Sequence, residues 1–317
     1  MSYAERMQEL AHNSFVGLFE GVQSITLTDF PDHPNVGDSA IAVGEFAFFD
    51  RASILVPEVR CIGTFSRTVL RSDRTVAIHG GGNIAGAFAG IDAHRNRIAR
   101  ELKPDTLLIQ LPQSVHFFSS AGRRLFVDEF AARRGTRFAV RDQESLQLVE
   151  SLIPDARLVP DAVHHLGEIS SAEPTQRVVS LIRRDQESVK RDTASLAGVD
   201  WPKDRLAMRA GASARWKARR LGPAGLLLNP KPKQWRRIAQ ARLARGVDIL
   251  SAGETVVTDR LHGMLLGLQC GRRVIAVDNN NRKLSKYAET WFGSDQPDVT
   301  FARDVDEAHE IARSGTS

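Results

Sequence analysis

Only two cysteines, Cys61 and Cys270, occur among 317 residues. They build no disulfide framework, and neither stands in a CxxC pair or a Cys/His cluster with zinc spacing, so the expectation is a reducing, cytoplasmic setting. Long apolar runs are missing too. The stretch MSYAERMQELAHNSFVGLFEG carries charge from Glu5 onward, so it reads as an amphipathic helix and not as a signal peptide or a membrane span. Internal repeats and low-complexity tracts are absent as well. With 42% hydrophobic and 26% charged residues, the chain can bury a sizeable core and is long enough for two domains.

Excess positive charge is local. The formal net charge is +5, yet eleven Lys or Arg residues against the single acid Asp204 lie between Lys203 and Arg237, so the rest of the chain is net negative. That stretch interleaves its cations with Trp216, Trp235 and Leu226 to Leu228. Two readings stand side by side: a solvated helix face with a loop, or a surface for an anionic substrate or anionic lipid. Nucleic acid is not expected, because no RRM, KH or helix-turn-helix signature accompanies the patch.

Short β-rich runs alternate with longer helical patterns. Strands are expected at 24–30, 75–82, 105–112, 137–142 and 156–161, with helices at 38–49, 93–102, 121–134 and 143–152 between them. EISSAEPTQR, from Glu168, is polar, contains Pro174 and reads as a linker. A second series then places strands at 177–185, 246–253, 255–260 and 272–279 and a helix at 262–270. The expected fold is therefore α/β, two Rossmann-like domains over 1–167 and 168–317 facing each other across a cleft. The basic segment 203–237 falls in the second.

Four polar clusters stand at strand ends, where such a cleft would lie. HPNVGDSAI (His33 to Ile41) puts Asp38 at a helix start, as a functional carboxylate or as an ordinary N-cap. HGGGNIAG, from His79, lets backbone amides approach an anion at Gly81 and Gly82, or simply makes a tight turn. LPQSVHF and RDQES bring Gln113, Ser114, His116, Arg141 and Asp142 to one sheet edge, with Arg141 and Asp142 as a solvated couple being the plainer alternative. TDRLHGMLLG places Arg260, a fork of N–H donors for carboxylate or phosphate, two residues before His262 at a strand-to-helix turn. His164 and His165, beside Asp161, are expected to face opposite ways and form no metal cluster.

NVGDSAI, HGGGNI, LPQSV, RDQES, Pro160–Asp161, SLIRRD and TDRLHGMLLG occur in an order and spacing that resembles the polysaccharide pyruvyl transferase family, over roughly Asn35 to Asp278. DRLHG is the most specific element. The resemblance implies a GT-B-like pair of domains and transfer of pyruvate from phosphoenolpyruvate, as co-substrate, onto a saccharide of a surface polysaccharide or its precursor, free or lipid-linked, as a ketal, by a mechanism that requires no metal and no cofactor. It implies catalytic roles for Asp38, Arg141, Arg260 and His262, donor contacts from Gly81, Gly82, Arg183 and Leu261, and acceptor contacts from Asn35, Asn83 and His116. Arg183 and Arg184 could equally be a surface pair. A nucleotide-sugar glycosyltransferase would use the same architecture against a diphosphate. A non-enzymatic polyanion- or lipid-binding protein built on 203–237 would leave Asp38, Arg141 and Arg260 without a task. The expected location is cytoplasmic, free or in peripheral contact with an anionic inner membrane face.

Overall fold

The computed structural model describes residues 1–84, 89–183, 198–278, 282–293 and 297–314. Among these, the strands form two sheets in which every pairing is parallel. The first holds β1 (Ser24–Thr28), β2 (Leu55–Val59), β3 (Thr75–Ile78), β4 (Gly81–Ile84), β5 (Leu108–Val115), β6 (Thr136–Val140) and β7 (Arg157–Leu158). Their order is β2-β1-β3-β5-β6-β7, with β4 paired to β5 beside that path. The second holds β8 (Gln176–Leu181), β9 (Gly253–Thr258), β10 (Arg273–Val277) and β11 (Val299–Ala302) in the order β11-β10-β9-β8. Central strands such as β1, β3 and β10 are buried almost throughout, as strands covered on both faces must be.

Helices α1 (Tyr3–Leu18), α2 (Val36–Arg51), α3 (Arg67–Leu70), α4 (Ala89–Glu101), α5 (Ser120–Leu125) and α6 (Gln143–Val149) precede the linker. After it come α7 (Leu206–Ala218), α8 (Pro232–Ser251), α9 (Leu261–Gln269), α10 (Lys283–Trp291) and α11 (Val305–Ser314). A capping box between Ser2 and Glu5 starts α1, which buries Met7, Ala11, Phe15 and Leu18 on one face.

Three sequence expectations fail for identifiable reasons. The strand expected at 246–253 is the last turns of α8, because Trp235, Ala239, Arg242, Gly246 and Leu250 recur at helical spacing and all are buried. β2 escapes the pattern because it contains Pro57 and Glu58 and is an edge strand, where a missing amide hydrogen is tolerated. The helix expected over 121–134 is α5 followed by a π-helical turn, Phe126–Ala131, that buries Phe126 and Phe130.

Packing ignores the linker. Trp235 and Ala239 of α8 join Phe30 and Phe46 in a core of the first sheet, while Val36 and Ala40 of α2 join Leu181, Val256 and Leu265 around the second. Between them sits the 3-10 turn Ala162–Leu166, whose Val163 belongs to that second core. Its His165 ring stands edge-on to Phe15 at 4.6 Å and beside Phe48 at 5.2 Å. Its neighbour His164 meets the Tyr287 hydroxyl at 2.8 Å.

These histidines are folded in the neutral form. Burial pushes His164 down to about 4 and His165 to about 3, and burial also holds His94 at about 4. An unfolded histidine takes its proton near pH ~6.5, so the stability they contribute is present above that pH and is lost as the pH falls from there toward 4. His79, raised instead, offsets part of this. Denaturant melts should therefore show lower stability at pH 5 than at pH 7, and His165→Leu should flatten the slope. Equal stability at the two pH values would contradict the assignment.

Candidate active site

The first turn of α2 is set by Asn35, whose side-chain carbonyl accepts the Gly37 amide hydrogen at 2.9 Å. Asn35 is thus the N-cap, and Asp38 is left to point elsewhere. The Asp38 carboxylate lies 3.6 Å from His33 Nε2 and is 16% exposed. Burial works to raise its pKa, but the charges of His33, His262, His79 and Arg141 outweigh this and hold it below the usual carboxylate value. It is a carboxylate set among an arginine and three imidazoles.

Two turns further along α2, Glu45 is fully buried. One carboxylate oxygen meets His79 Nδ1 at 2.8 Å, and the other accepts the Gly80 amide hydrogen at 2.8 Å. Burial alone would lower the pKa of His79, yet Glu45, with Asp38 and Asp29, raises it. Sequence reasoning passed over Glu45, although the signal exists: it is the one charge inside AIAVGEFAFF.

β6 ends at Val140 and delivers Arg141 into the interior, 3% exposed. Its Nε donates to Ser114 Oγ at 2.9 Å, and its Nη1 donates to Asp161 Oδ2 at 2.6 Å. Asp142 is not its partner; that carboxylate caps α6 by accepting the Ser145 amide hydrogen at 2.8 Å. Asp161 is 1% exposed and also takes the Val163 amide hydrogen on Oδ1 at 2.9 Å. From the start of α9, His262 brings Nε2 to within 3.3 Å of the same Oδ2. Burial pushes the Asp161 carboxyl up, but His262, Arg141 and the Val163 amide pull it well below the normal range. The imidazole fits against α2 because residue 37 is glycine: a Cβ there would lie 2.5 Å from His262 Nδ1.

Gly82 plays the corresponding part for Arg141. A Cβ at residue 82 would stand 2.7 Å from Arg141 Nη2 and 3.9 Å from Lys283 Nζ, so two cations face bare backbone there. Gly81 begins β4, and the place of its Cβ is 3.8 Å from Asp38 Oδ1. Chemically, an arginine edge, a lysine and a glycine backbone make a receptor for an anion, with Asp38 and His262 beside it.

Other expected residues are less centrally held. Arg260 stands at the N-cap position of α9 and ion-pairs with Asp200 through Nη2 at 2.6 Å. Leu261 is 7% exposed and packs in the second sheet's core. The Arg183 amide donates to Asp259 at 2.9 Å. His116 is exposed, its ring 4.4 Å from that of Phe118. Arg184, Asn279 and the side chain of Asn83 lie outside the described residues. Besides Glu45, sequence reasoning gave no role to Lys283 or Tyr287, whose hydroxyl accepts the Asp161 amide hydrogen at 2.9 Å.

The basic segment divides. Trp235 is fully buried against Phe30 and so cannot serve a surface. Arg215 is 8% exposed and forks onto Asp32 at 2.6 and 2.8 Å, while Arg236 pairs with Asp50. What stays outside is Trp216 (51% exposed), Leu221, Leu227 and Leu228, with Lys217, Arg219 and Arg220 among them. Among the described residues, no helix is long and apolar enough to cross a membrane.

Comparison with known proteins matches this arrangement to one family. The chain is 28% identical over 290 residues to Pyruvyl transferase 1 of Schizosaccharomyces pombe, covering 86% of this chain and 71% of that protein. It is 24% identical to the putative pyruvyl transferase EpsO of Bacillus subtilis over 84% of this chain and 85% of that one. A crystal structure of a Klebsiella pneumoniae protein of uncharacterised function superposes with a TM-score of 0.63 at 18% identity, covering 96% of this chain and all of the other, which shows a shared fold. The family profile itself matches residues 35–281, and on that extent the chain belongs to the polysaccharide pyruvyl transferase family.

Proposed function

We propose that the protein transfers pyruvate from phosphoenolpyruvate onto two hydroxyls of one sugar, forming a ketal on a surface polysaccharide or its precursor. The observation that carries this reading is the convergence of Arg141 Nη2 and Lys283 Nζ on the bare backbone of Gly82, with Asp38 and His262 adjacent. A donor bearing a carboxylate and a phosphate needs several fixed cations. The two sheets act as the halves of a GT-B-like pair, 1–167 and 168–317, with donor chemistry where Arg141 of one meets His262 of the other on Asp161.

The reaction sets the roles. A proton adds to the methylene carbon of phosphoenolpyruvate, and cationic character develops at the neighbouring carbon. One sugar hydroxyl attacks that carbon, the bond to phosphate breaks, and the second hydroxyl closes the ring. Of the two hydroxyl protons released, one balances the proton taken up by carbon and the other leaves with phosphate. His262 is the proton donor or phosphate partner. Asp38, kept anionic, orients the attacking hydroxyl and takes its proton as the bond forms, when the hydroxyl has become strongly acidic. Arg260 exchanges Asp200 for the donor's charged oxygens, while Arg183 and Leu261 border them. His116 remains on the acceptor side.

Incubation with phosphoenolpyruvate and a panel of glycosides should release phosphate and add mass to one sugar. Release from a nucleotide sugar instead would replace this reading with glycosyl transfer. Arg260→Lys should be nearly as damaging as Arg260→Ala, about 2–4 kcal/mol of transition-state stabilisation, and full activity in the lysine variant would remove Arg260 from the site. Gly82→Ala should fold normally yet lose about 100-fold in phosphoenolpyruvate turnover, because its methyl takes the space at Arg141 Nη2 while Nε and Nη1 keep their bonds to Ser114 and Asp161.

The outer face of α7 and the segment after it, Leu221, Leu227 and Leu228 among Lys217, Arg219 and Arg220, is proposed as a peripheral contact with anionic membrane, suited to a lipid-linked acceptor. Each cation near such a surface adds about 1 kcal/mol. The protein should sediment with anionic but not neutral vesicles at low salt, and replacement of Lys217, Arg219 and Arg220 by Gln should abolish it. Indifference of the wild type to anionic vesicles would refute the contact.

A further inference from the structure

A cavity of about 490 Å³ opens between the end of β1, the end of β3, α4 and α7, within the range of small-molecule clefts. Its wall is mostly carbon, from Phe30, Ile62 and Trp216, the indole being held by the Arg219 guanidinium stacked at 3.7 Å. Its polar groups are few and placed. His79, 3% exposed, uses Nδ1 on Glu45, which leaves Nε2 buried without a hydrogen-bond partner among the described residues. Arg95, also 3% exposed, donates Nε to Asp29 at 2.6 Å and leaves Nη1 in the same condition. Asp29 holds that arginine from a left-handed backbone conformation, φ 59°, which a non-glycine residue adopts at a cost.

A buried donor without a partner costs free energy that a ligand can return. His79 and Arg95, the residues that carry these two nitrogens, line one cavity, and Asp38 lines it too. Asp38 is also the residue that adjoins Gly81 and the donor side. The cavity thus combines an apolar aromatic wall with an imidazole, a guanidinium and the Asp38 carboxylate. That combination suits a pyranose ring, whose C–H surface packs on an aromatic and whose hydroxyls both accept and donate. The net charge of the lining is small, since Asp29 matches Arg95 and Glu45 matches His79, so a neutral sugar fits better than a phosphorylated one.

We propose that this cavity is the acceptor subsite, holding a neutral hexopyranoside with Trp216 as its apolar wall, His79 and Arg95 as polar residues of its lining, and Asp38 at its inner end. The assignment rests on the pyruvyl-transfer reading for the ligand being a saccharide. It also makes α7, part of the basic segment, a determinant of which sugar is accepted. Trp216 is half exposed, so replacing it leaves the fold intact.

The test uses methyl hexopyranosides of galacto, gluco and manno configuration, read by saturation-transfer NMR on the full chain without donor, and phosphoenolpyruvate binding measured separately by calorimetry. Wild type should bind one of the glycosides. Trp216→Ala should weaken that binding by about tenfold or more, Trp216→Phe should retain most of it, and both should bind phosphoenolpyruvate as the wild type does. Arg95→Met should likewise lose glycoside binding and keep the donor. Wild-type indifference to all three glycosides, or unchanged glycoside binding in both Trp216→Ala and Arg95→Met, would overturn the subsite even if pyruvyl transfer is observed. Tryptophan-dependent glycoside binding in a protein that does not turn over phosphoenolpyruvate would instead leave the subsite standing and remove the pyruvyl-transfer reading.

Discussion

A carboxylate buried as deeply as Asp161 survives only if its charge is matched, since leaving it unpaired in the interior costs several kcal/mol. The matching groups come from far apart in the chain: Arg141 from the end of β6, the Val163 amide from the turn that follows, and His262 from the start of α9. Tyr287 of α10 bonds the Asp161 amide from the other side. Satisfying one anion therefore ties the first sheet to the second. The same requirement pins Arg141 with its Nη2 turned toward the backbone of Gly82.

α2 transmits this constraint outward. Its glycine at residue 37 admits the His262 ring, its Asp38 stands between Gly81 and the cavity, and its Glu45 anchors His79. Its remaining face is apolar and divides between two cores, Ile41 and Phe46 going to one and Val36 and Ala40 to the other. A helix buried nearly all round has little freedom to shift, so the polar groups it carries are held in fixed relation to both sheets. α8 reinforces the arrangement by burying Trp235 and Ala239 against the first sheet while leading directly into β9 of the second.

The parallel α/β character was legible because buried central strands read as short apolar runs and helices keep a 3.6-residue period. Asp38, Arg141 and His262 were legible because polar residues at strand ends stand out against that background. Arg260 was named correctly as a strand-end arginine, but its ion pair with Asp200, some sixty residues away in sequence, was not visible in its neighbourhood. β2, with Pro57 and Glu58, hid because an edge strand has no need of an apolar run. Trp235 seemed available to a surface because its sequence neighbours are Lys and Arg, yet it faces inward from α8.

The sequence by itself determined which elements form and where their polar ends fall, because those follow from local periodicity, capping and turn chemistry. It also carried the family motifs. Tertiary structure alone decided the pairings: Arg141 with Asp161 in place of the adjacent Asp142, His79 with Glu45, Arg95 with Asp29, and the division of the basic segment into buried ion pairs and an exposed ledge. The physical reason is that a charge is buried or solvated according to what the fold brings within about 3 Å of it, and no local pattern of residues contains that distance.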